Sequence, residues 1–208
     1  MSLRVMELGD VPTVVRLHRA NLPAGFFVEL GDRFLGRYYR TFLTSPAAVA
    51  LIAEVEGTAV GFLVGATDEV VHHRHVMHLN RWDLARCGMA SLLVRPELTA
   101  RFVRTRARRY LRGMRRRRSA GSAQEEWGRT GVLSHIAVQT RLRGAGVGAA
   151  LVGGFVEIAK VHGVERLRLF TSCDNEPAQR FYKRLGWQTR PEQCDADGKR
   201  WVPFTLDL

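Results

Sequence analysis

The sequence has few cysteines, and they are not spaced for a disulfide framework or a zinc site. Cys87, Cys173 and Cys194 are the three cysteines among 208 residues, and no two form a C-x-x-C pair. An odd, scattered set favours reduced thiols in the cytoplasm. The first residues lack the basic and apolar regions of a signal peptide, and no apolar run approaches the ~18 residues of a membrane span. With 46% hydrophobic residues, a globular cytoplasmic protein is expected.

Acidic residues are also in deficit, but the deficit is confined to one segment. The chain has 32 Lys and Arg against 20 Asp and Glu, which gives a net charge of +12. Residues 95–118 contain eleven arginines and one acid, Glu97, while the remainder is nearly neutral. Electrostatic attraction to a partner is therefore predicted for this segment alone.

Hydrophobic periodicity predicts alternating strands and helices on both sides of this segment. Strands are expected at 3–8, 48–55, 60–68, 131–138, 166–170, 186–190 and 200–208. Helices are expected at 10–21, 31–45, 144–162 and 176–185. Near residue 70 the composition changes, and helices at 76–94 and 96–118 are followed by a linker-like stretch at 119–128. We interpret the chain as one domain, residues 1–208, with a helical, arginine-rich insertion at 70–128.

A glycine-rich stretch, RLRGAGVGAALV at 141–152, satisfies two phosphate-binding patterns. Gly144, Gly146 and Ala149 fit the dinucleotide pattern G-x-G-x-x-G/A, whereas Arg143, Gly146 and Gly148 fit a pattern typical of coenzyme A sites. A dinucleotide fold places its first glycine directly after a strand and an acid at the end of the next one. Here five residues separate the strand from Gly144, and Glu165 precedes the next strand. The context favours a coenzyme A pyrophosphate at a helix N-terminus.

A second motif, DNEPAQRFYKRLGW at 174–187, supports this interpretation. With the strand ending in IAV and the R-G-x-G-x-G loop, the stretch from about 131 to 187 resembles the GNAT superfamily of acyl-CoA-dependent N-acyltransferases. The resemblance implies a mixed α/β fold with a central, mostly antiparallel sheet flanked by helices. The departure from the family pattern is the 70–128 segment, which would be a two-helix insertion between the third and fourth strands.

The resemblance also implies contacts with acetyl-CoA as co-substrate. Strand residues would pair with the pantetheine arm, loop residues would wrap the pyrophosphate, and residues of the last helix would line the far side of the cofactor. These positions are Ile136, Ala137, Val138, Arg143, Gly144, Ala145, Gly146, Val147, Gly148, Ala149, Asn175, Ala178 and Tyr182.

Two side chains are candidates for proton transfer. Tyr182 would point its hydroxyl at the sulfur and protonate the leaving thiolate, or would simply be an aromatic packed on an amphipathic helix. His135 could act as the base towards the acceptor, or be a satisfied histidine on the outer face of the sheet. The expected reaction is direct attack of a small-molecule or peptide amine on the thioester.

Two further features allow other functions. The predicted helix 96–118 carries an apolar stripe among its arginines, so it either binds an anionic surface, lipid or RNA, or packs on the domain. The alternative function is therefore a GNAT-fold protein that acts mainly as a nucleic-acid or membrane-surface binding module through this arginine-rich helix. A membrane-surface role would place the cytoplasmic protein at the periphery of the membrane. Histidines 72, 73, 75 and 78 lack a cysteine or spaced carboxylate to complete a metal set. We interpret them as a partly exposed turn and expect no metal.

Overall fold

The strands and helices of the protein were located in a computed structural model, which describes residues 1–22, 26–79, 129–195 and 198–208. The strands are β1 (Ser2–Val5), β2 (Ala48–Val55), β3 (Thr58–Ala66), β4 (Thr130–Val138), β5 (Arg166–Ser172), β6 (Gln188–Thr189), β7 (Gln193–Cys194) and β8 (Arg200–Asp207). The helices are α1 (Val11–Asn21), α2 (Phe26–Glu29), α3 (Asp32–Thr44), α4 (Glu69–Leu79), α5 (Val147–Val161) and α6 (Glu176–Arg184). Short 3-10 turns occupy Leu8–Asp10 and Thr140–Leu142.

The described strands form one mixed sheet. Their order is β1-β2-β3-β4-β5-β8-β6, with β7 also paired to β8. Every pairing is antiparallel except that of β4 with β5. The predicted fold class, a mostly antiparallel sheet flanked by helices, is therefore confirmed. The first strand is shorter than predicted because a 3-10 turn begins at Leu8, and the two-residue strand β7 was not predicted.

Helices cover the two faces of the sheet and form two separate cores. On one face α5 and α6 enclose a core that includes Leu151, Phe155 and Leu167. On the other face α1 and α3 bury Val14 and Leu35 against β2 and β3. Each of these helices turns one apolar stripe towards the sheet, as expected for surface helices.

Strands β4 and β5 separate after three residue pairs. Thr130–Val132 pairs with Arg166–Arg168, and the rest of β4 pairs only with β3 in the described residues. The separation coincides with a β-bulge, because Leu133 lies opposite Gly65 and His135 opposite Val64, which leaves Ser134 without a counterpart. A bulge bends a strand and increases its twist. The sheet therefore has an internal gap between the C-terminal halves of β4 and β5.

A glycine next to the bulge allows α5 to approach the sheet closely. A Cβ atom on Gly65 would lie 2.5 Å from the Val132 carbonyl oxygen and 2.7 Å from the Phe155 ring. Neither distance is tolerable, so only glycine permits this packing of β3, β4 and α5 at the bulge.

The histidine-rich stretch is helical, so its interpretation as a turn was wrong. His72 lies on α4, is only 9% exposed, and its ring is 4.5 Å from that of Phe42. Despite the polar composition of the stretch, His72 packs against Phe42 of α3, and this contact buries one side of α4. In the described part of the chain, no three His, Cys, Asp or Glu side chains are placed to hold a metal ion.

The arginine-rich helix predicted at 96–118, the linker at 119–128 and the part of the 76–94 helix beyond Leu79 lie outside the described residues. The two-helix insertion and its anionic partner therefore stay predictions. Among the described helices, none is long and apolar enough to cross a membrane.

Candidate functional site

The glycine loop, residues 139–149, connects β4 to α5 and leaves open space in front of the helix. Gly144 and Gly146 have φ values of 84° and 82°, a left-handed conformation that disfavours any residue with a Cβ atom. A Cβ atom at either position would meet no atom within 4 Å. The loop therefore has room for a ligand group directly in front of α5.

The first turn of α5 offers unpaired backbone donors to such a group. Gly146 is the N-cap residue and supplies no side-chain cap. The first bond into the helix runs from the Ala150 N–H to the Gly146 carbonyl, at 2.9 Å. The N–H groups of Val147, Gly148 and Ala149 thus have no backbone acceptor in the described part of the chain. Free N–H groups at the positive end of a helix dipole bind anions.

Gly148 differs from the other two loop glycines. A Cβ atom there would lie 3.3 Å from the Phe181 ring and 3.9 Å from a methyl group of Val138. Its lack of a side chain lets α6 pack across the start of α5 and the end of β4. The predicted contact of Gly148 with the cofactor stays a prediction, and the structure adds a packing reason for glycine at this position.

Asn21, at the end of α1, ties the glycine loop to the other face of the sheet. Its Oδ1 accepts hydrogen bonds from Arg143 Nη2 at 3.0 Å and from Thr140 Oγ1 at 3.3 Å. Its Nδ2 donates to the Leu17 carbonyl at 2.9 Å. Arg143 is exposed and forms no ion pair in the described residues, so its charge is available to an anion at the loop. No sequence signal links Asn21 to Arg143, 122 residues away.

The predicted strand residues border the gap between β4 and β5. Ile136, Ala137 and Val138 pair with Leu63, Phe62 and Gly61 of β3. No described strand pairs with their other edge, which faces the gap. An extended chain with amide groups can add to such an edge as a strand would.

At the start of α6, Asn175 and Ala178 form a cap. Asn175 Oδ1 accepts a hydrogen bond from the Ala178 N–H at 3.2 Å, which fixes the beginning of the helix. Asn175 is exposed and Ala178 is half-buried. Their predicted contact with the cofactor stays a prediction.

Tyr182 lies in the core on the α5 side and is 5% exposed. Its ring contacts Phe181, Trp187 and Phe204, with centroids 5.1, 5.7 and 5.8 Å away. The hydroxyl forms no hydrogen bond within the described residues. Burial raises the pKa of Tyr182 above its usual value, so the phenol keeps its proton throughout the neutral range. The side chain is thus both a core aromatic and a protonated donor.

His135 lies on the opposite face of the sheet, in a cluster of four polar rings: His18, Tyr38, Tyr39 and His135. Its Nε2 is 3.1 Å from the Tyr38 hydroxyl, and its ring is 5.2 Å from that of His18. Burial, together with the neighbouring His18, lowers the pKa of His135 to about 3. The imidazole is therefore neutral at pH 7. It is half-buried under α1 and α3 rather than placed on an open sheet face.

The rest of the four-ring cluster was not predicted from the sequence. His18 Nδ1 is hydrogen-bonded to the Tyr39 hydroxyl, and both residues are buried. Burial lowers the pKa of His18 to about 4. The spacing of Tyr38 and Tyr39 with Phe34, Leu35 and Phe42 predicted only an apolar helix stripe.

Two groups of curated and solved proteins resemble the chain in sequence or in fold. An uncharacterized N-acetyltransferase of Methanocaldococcus jannaschii is 36% identical over 58 residues, which cover 28% of this chain and 26% of the relative. N-alpha-acetyltransferase 30 of Schizosaccharomyces pombe is 33% identical over 57 residues, 27% of this chain and 38% of the relative. The chain therefore matches less than half the length of either relative.

Solved structures match over the whole fold at low sequence identity. Ard1 from Thermoplasma volcanium has a TM-score of 0.60 and 18% identity, covering 100% of this chain and 97% of its own. Ribosomal-protein-alanine N-acetyltransferase from Brucella melitensis also has a TM-score of 0.60, with 13% identity and 100% of both chains covered.

A sequence model of a protein family also matches the chain. The model described as the acetyltransferase (GNAT) family matches residues 14–187, which include the glycine loop, Tyr182 and His135. The chain therefore belongs to the GNAT family of acetyltransferases.

Proposed function

We propose that the protein transfers an acetyl group from acetyl-CoA to a primary amine by direct attack. The observation that carries the proposal is the gap between β4 and β5, which lies next to the uncapped start of α5. The gap edge of Ile136–Val138 suits the amide-bearing pantetheine arm. The N–H groups of Val147–Ala149 suit the pyrophosphate.

The chain has the groups that this cofactor requires. Gly144 and Gly146 leave space at the loop, and Ala145 lies between them. Arg143 adds a positive charge beside the helix N-terminus. Asn175 and Ala178 lie at the start of α6, where they would border the far side of the cofactor.

Tyr182 is proposed as the general acid. When the amine nitrogen bonds to the carbonyl carbon, the carbon–sulfur bond breaks and a thiolate leaves, with a pKa of about 8.5 if it behaves like cysteine. A phenol that stays protonated at working pH can supply the proton as this bond breaks. A backbone N–H near Ile136 would stabilise the oxyanion, and such a donor contributes about 3 kcal/mol.

His135 is proposed to orient the amine and to take its proton during attack. Because its own pKa is about 3, it does not keep that proton, which passes to solvent water, while the Tyr38 hydroxyl, 3.1 Å from Nε2, orients the ring. Such a weak base requires an acceptor that enters as the neutral amine.

This requirement favours a peptide N-terminus as the acceptor. An α-amine has a pKa of about 8 and a lysine amine about 10.4, so the neutral fraction at pH 7 is far larger for the α-amine. Peptide and protein N-termini are also what the names N-alpha-acetyltransferase and ribosomal-protein-alanine N-acetyltransferase imply for two of the similar proteins.

The test is an acceptor screen with acetyl-CoA that follows release of free thiol. The panel contains peptides with a free α-amine, the same peptides with a blocked α-amine and a lysine, polyamines and amino sugars. Thiol release with free α-amines is the expected result. Release only with lysine or sugar amines would refute the acceptor class, and binding of acetyl-CoA without transfer to any amine would refute the activity.

A further inference from the structure

Phe170, on β5, exposes a large apolar ring close to the gap between β4 and β5. The residue is 44% exposed, although its neighbours Leu167 and Leu169 enter the core on the α5 side. Because successive side chains of a strand point to opposite faces, Phe170 projects on the α1 side. The ion pair of Arg168 with Glu69 agrees with this assignment, since Glu69 begins α4 and α4 packs against α3. The ring is therefore exposed on the face of the sheet that carries the four-ring cluster.

Phe170 and His135 lie at the same level on the two strands that border the gap. The last described pair of β4 with β5 joins Val132 to Arg168. Phe170 is two residues beyond Arg168, about 7 Å along the strand. His135 is three residues beyond Val132, but one of the three, Ser134, is the extra residue of the bulge. The imidazole and the phenyl ring therefore border the gap from opposite strands and on the same face.

The neighbours of Phe170 on β5 and β8 are uncharged, or their charge is already paired. Pro203 lies directly opposite Phe170, and residues opposite each other in a strand pair share a face of the sheet. Trp201, two residues before Pro203, is half-buried, and its Nε1 donates to Asp195 Oδ2 at 3.0 Å. The charge of Arg168 is paired with the carboxylate at the start of α4. This surface suits an apolar group better than a charged one.

We propose that Phe170 selects the acceptor through the side chain of its first residue, and that it favours a large apolar side chain such as that of leucine or methionine. The inference rests on the proposed function, in which a peptide α-amine attacks the thioester beside His135. The first side chain is bonded to the carbon that bears this amine. It must therefore lie at the gap during the attack, where Phe170 is the exposed ring on the facing strand.

Contact with Phe170 removes apolar surface of both partners from water, which favours binding in proportion to the area buried. A glycine at the first position offers no such surface. An aspartate has to lose part of its hydration against the ring without gaining a partner. Because one open ring covers only part of a side chain, we expect a preference of roughly tenfold for leucine over glycine.

The test uses peptides that differ only in the first residue, which is leucine, methionine, glycine or aspartate, with acetyl-CoA at saturation and thiol release as the readout. In wild type, kcat/KM for the leucine peptide should exceed that for the glycine peptide by roughly tenfold. Phe170→Ala should reduce this ratio to roughly twofold, mainly by raising KM for the leucine peptide, because the contact forms on binding. Phe170→Leu keeps an apolar side chain and should retain most of the preference.

Val161→Ala is the matched control. Val161 ends α5 and is 86% exposed, so this variant also removes an exposed apolar side chain, but one carried by a helix on the other face of the sheet. It should leave the ratio for leucine over glycine unchanged. Calorimetric titration with acetyl-CoA and thermal unfolding show whether each variant keeps its cofactor site and its fold.

The remaining outcomes separate this inference from the proposed function. Transfer to all four peptides at similar kcat/KM in wild type overturns the selection by Phe170 and leaves the activity standing. An unchanged ratio in Phe170→Ala also overturns it. An equal loss for every peptide, with a lower unfolding temperature, assigns the ring to packing instead. Absence of transfer from acetyl-CoA to any peptide α-amine overturns the proposed acceptor and this inference with it.

Discussion

The two faces of the sheet differ in the kind of chemical group that they supply to the proposed site: backbone groups on one face and side chains on the other. On the α5 side the proposed cofactor half is mainly backbone: a loop with left-handed glycines, an uncapped helix start and a strand edge. On the α1 side the polar groups are side chains of the four-ring cluster, brought from α1, α3 and β4. A site made of backbone groups requires glycine at fixed positions, so it can be recognised in the sequence as a motif. A side-chain cluster assembled by tertiary packing has no such motif.

The strongest way to break the cofactor half is Gly146→Glu. The substitution places a Cβ atom at φ 82° and a negative charge where the pyrophosphate is proposed to lie. We expect acetyl-CoA binding, measured by calorimetry, to be abolished. Gly31→Glu is the control, because Gly31 is the N-cap residue of α3 with φ 88° and no atom within 4 Å of its Cβ position. Equal binding by the two variants would remove the loop from the cofactor site.

Tyr182→Phe, in the proposed cofactor half, should affect the rate of acetyl transfer without affecting the binding of acetyl-CoA. It removes one hydroxyl and keeps the ring contacts with Trp187 and Phe204. We expect kcat to fall by about 10²-fold, with the Kd for acetyl-CoA unchanged. Single-turnover measurements ensure that chemistry is observed. An unchanged rate would show that another group or water supplies the proton.

Acid should destabilise the fold through two buried histidines on the α1 side of the sheet. The folded-state pKa of His18 and of His72 is about 4, against about 6.5 in an unfolded chain, because burial disfavours the charged form. The unfolded state therefore binds more protons between these values, and the free energy of unfolding falls as the pH drops from 6.5 to 4. At pH 4 each of the two histidines has lowered the free energy of unfolding by on the order of 3 kcal/mol.

Urea unfolding at pH 7 and at pH 5 measures this loss. His72→Phe keeps an aromatic ring against Phe42 and removes a buried Nδ1 atom that has no hydrogen-bond partner among the described residues. The variant should lose less stability than wild type between the two pH values. An identical loss would assign the acid sensitivity to other groups.

The smallest effect is expected from Tyr38→Phe. It deletes the hydroxyl next to His135 Nε2 and should lower kcat by roughly tenfold, with cofactor affinity unchanged. Because His135 stays neutral above about pH 4, the acid limb of kcat/KM should follow the amine pKa of the acceptor. A limb that remains near pH 6 with acceptors of different amine pKa would contradict the assignment of His135 as neutral.

The sequence predicted the parts of the structure that depend on local pattern. The helices α1, α3, α5 and α6, all the strands except β7, the glycine loop and the position of Tyr182 on a helix follow from periodicity and spacing. The four-ring cluster does not, because Tyr38 and His135 are 97 residues apart and the tyrosines fit an apolar helix stripe equally well. The histidines of α4 were misjudged because the contact of His72 with Phe42 depends on tertiary packing.

The bulge at Ser134 explains another limit of sequence reasoning. Simple alternation along β4 puts Leu133 and His135 on one face of the sheet. In the structure Leu133 joins the core on the α5 side, while His135 lies in the four-ring cluster on the other. One extra residue moves every later side chain of the strand to the opposite face of the sheet. No residue type in the stretch predicts the bulge.

The internal gap also bears on how this sheet avoids aggregation. An unpaired strand edge is a template for strands of other molecules. Here the unpaired edges of β4 and β5 face each other within the sheet. The outer strands β1 and β6, at four and two residues, are too short to recruit a neighbour effectively. A slender ligand arm can enter the gap, whereas a foreign strand, with side chains on both faces, would have to force the half-sheets apart. In the described part of the sheet, unpaired backbone hydrogen-bonding groups are thus kept for the proposed ligand arm without being exposed along an outer edge.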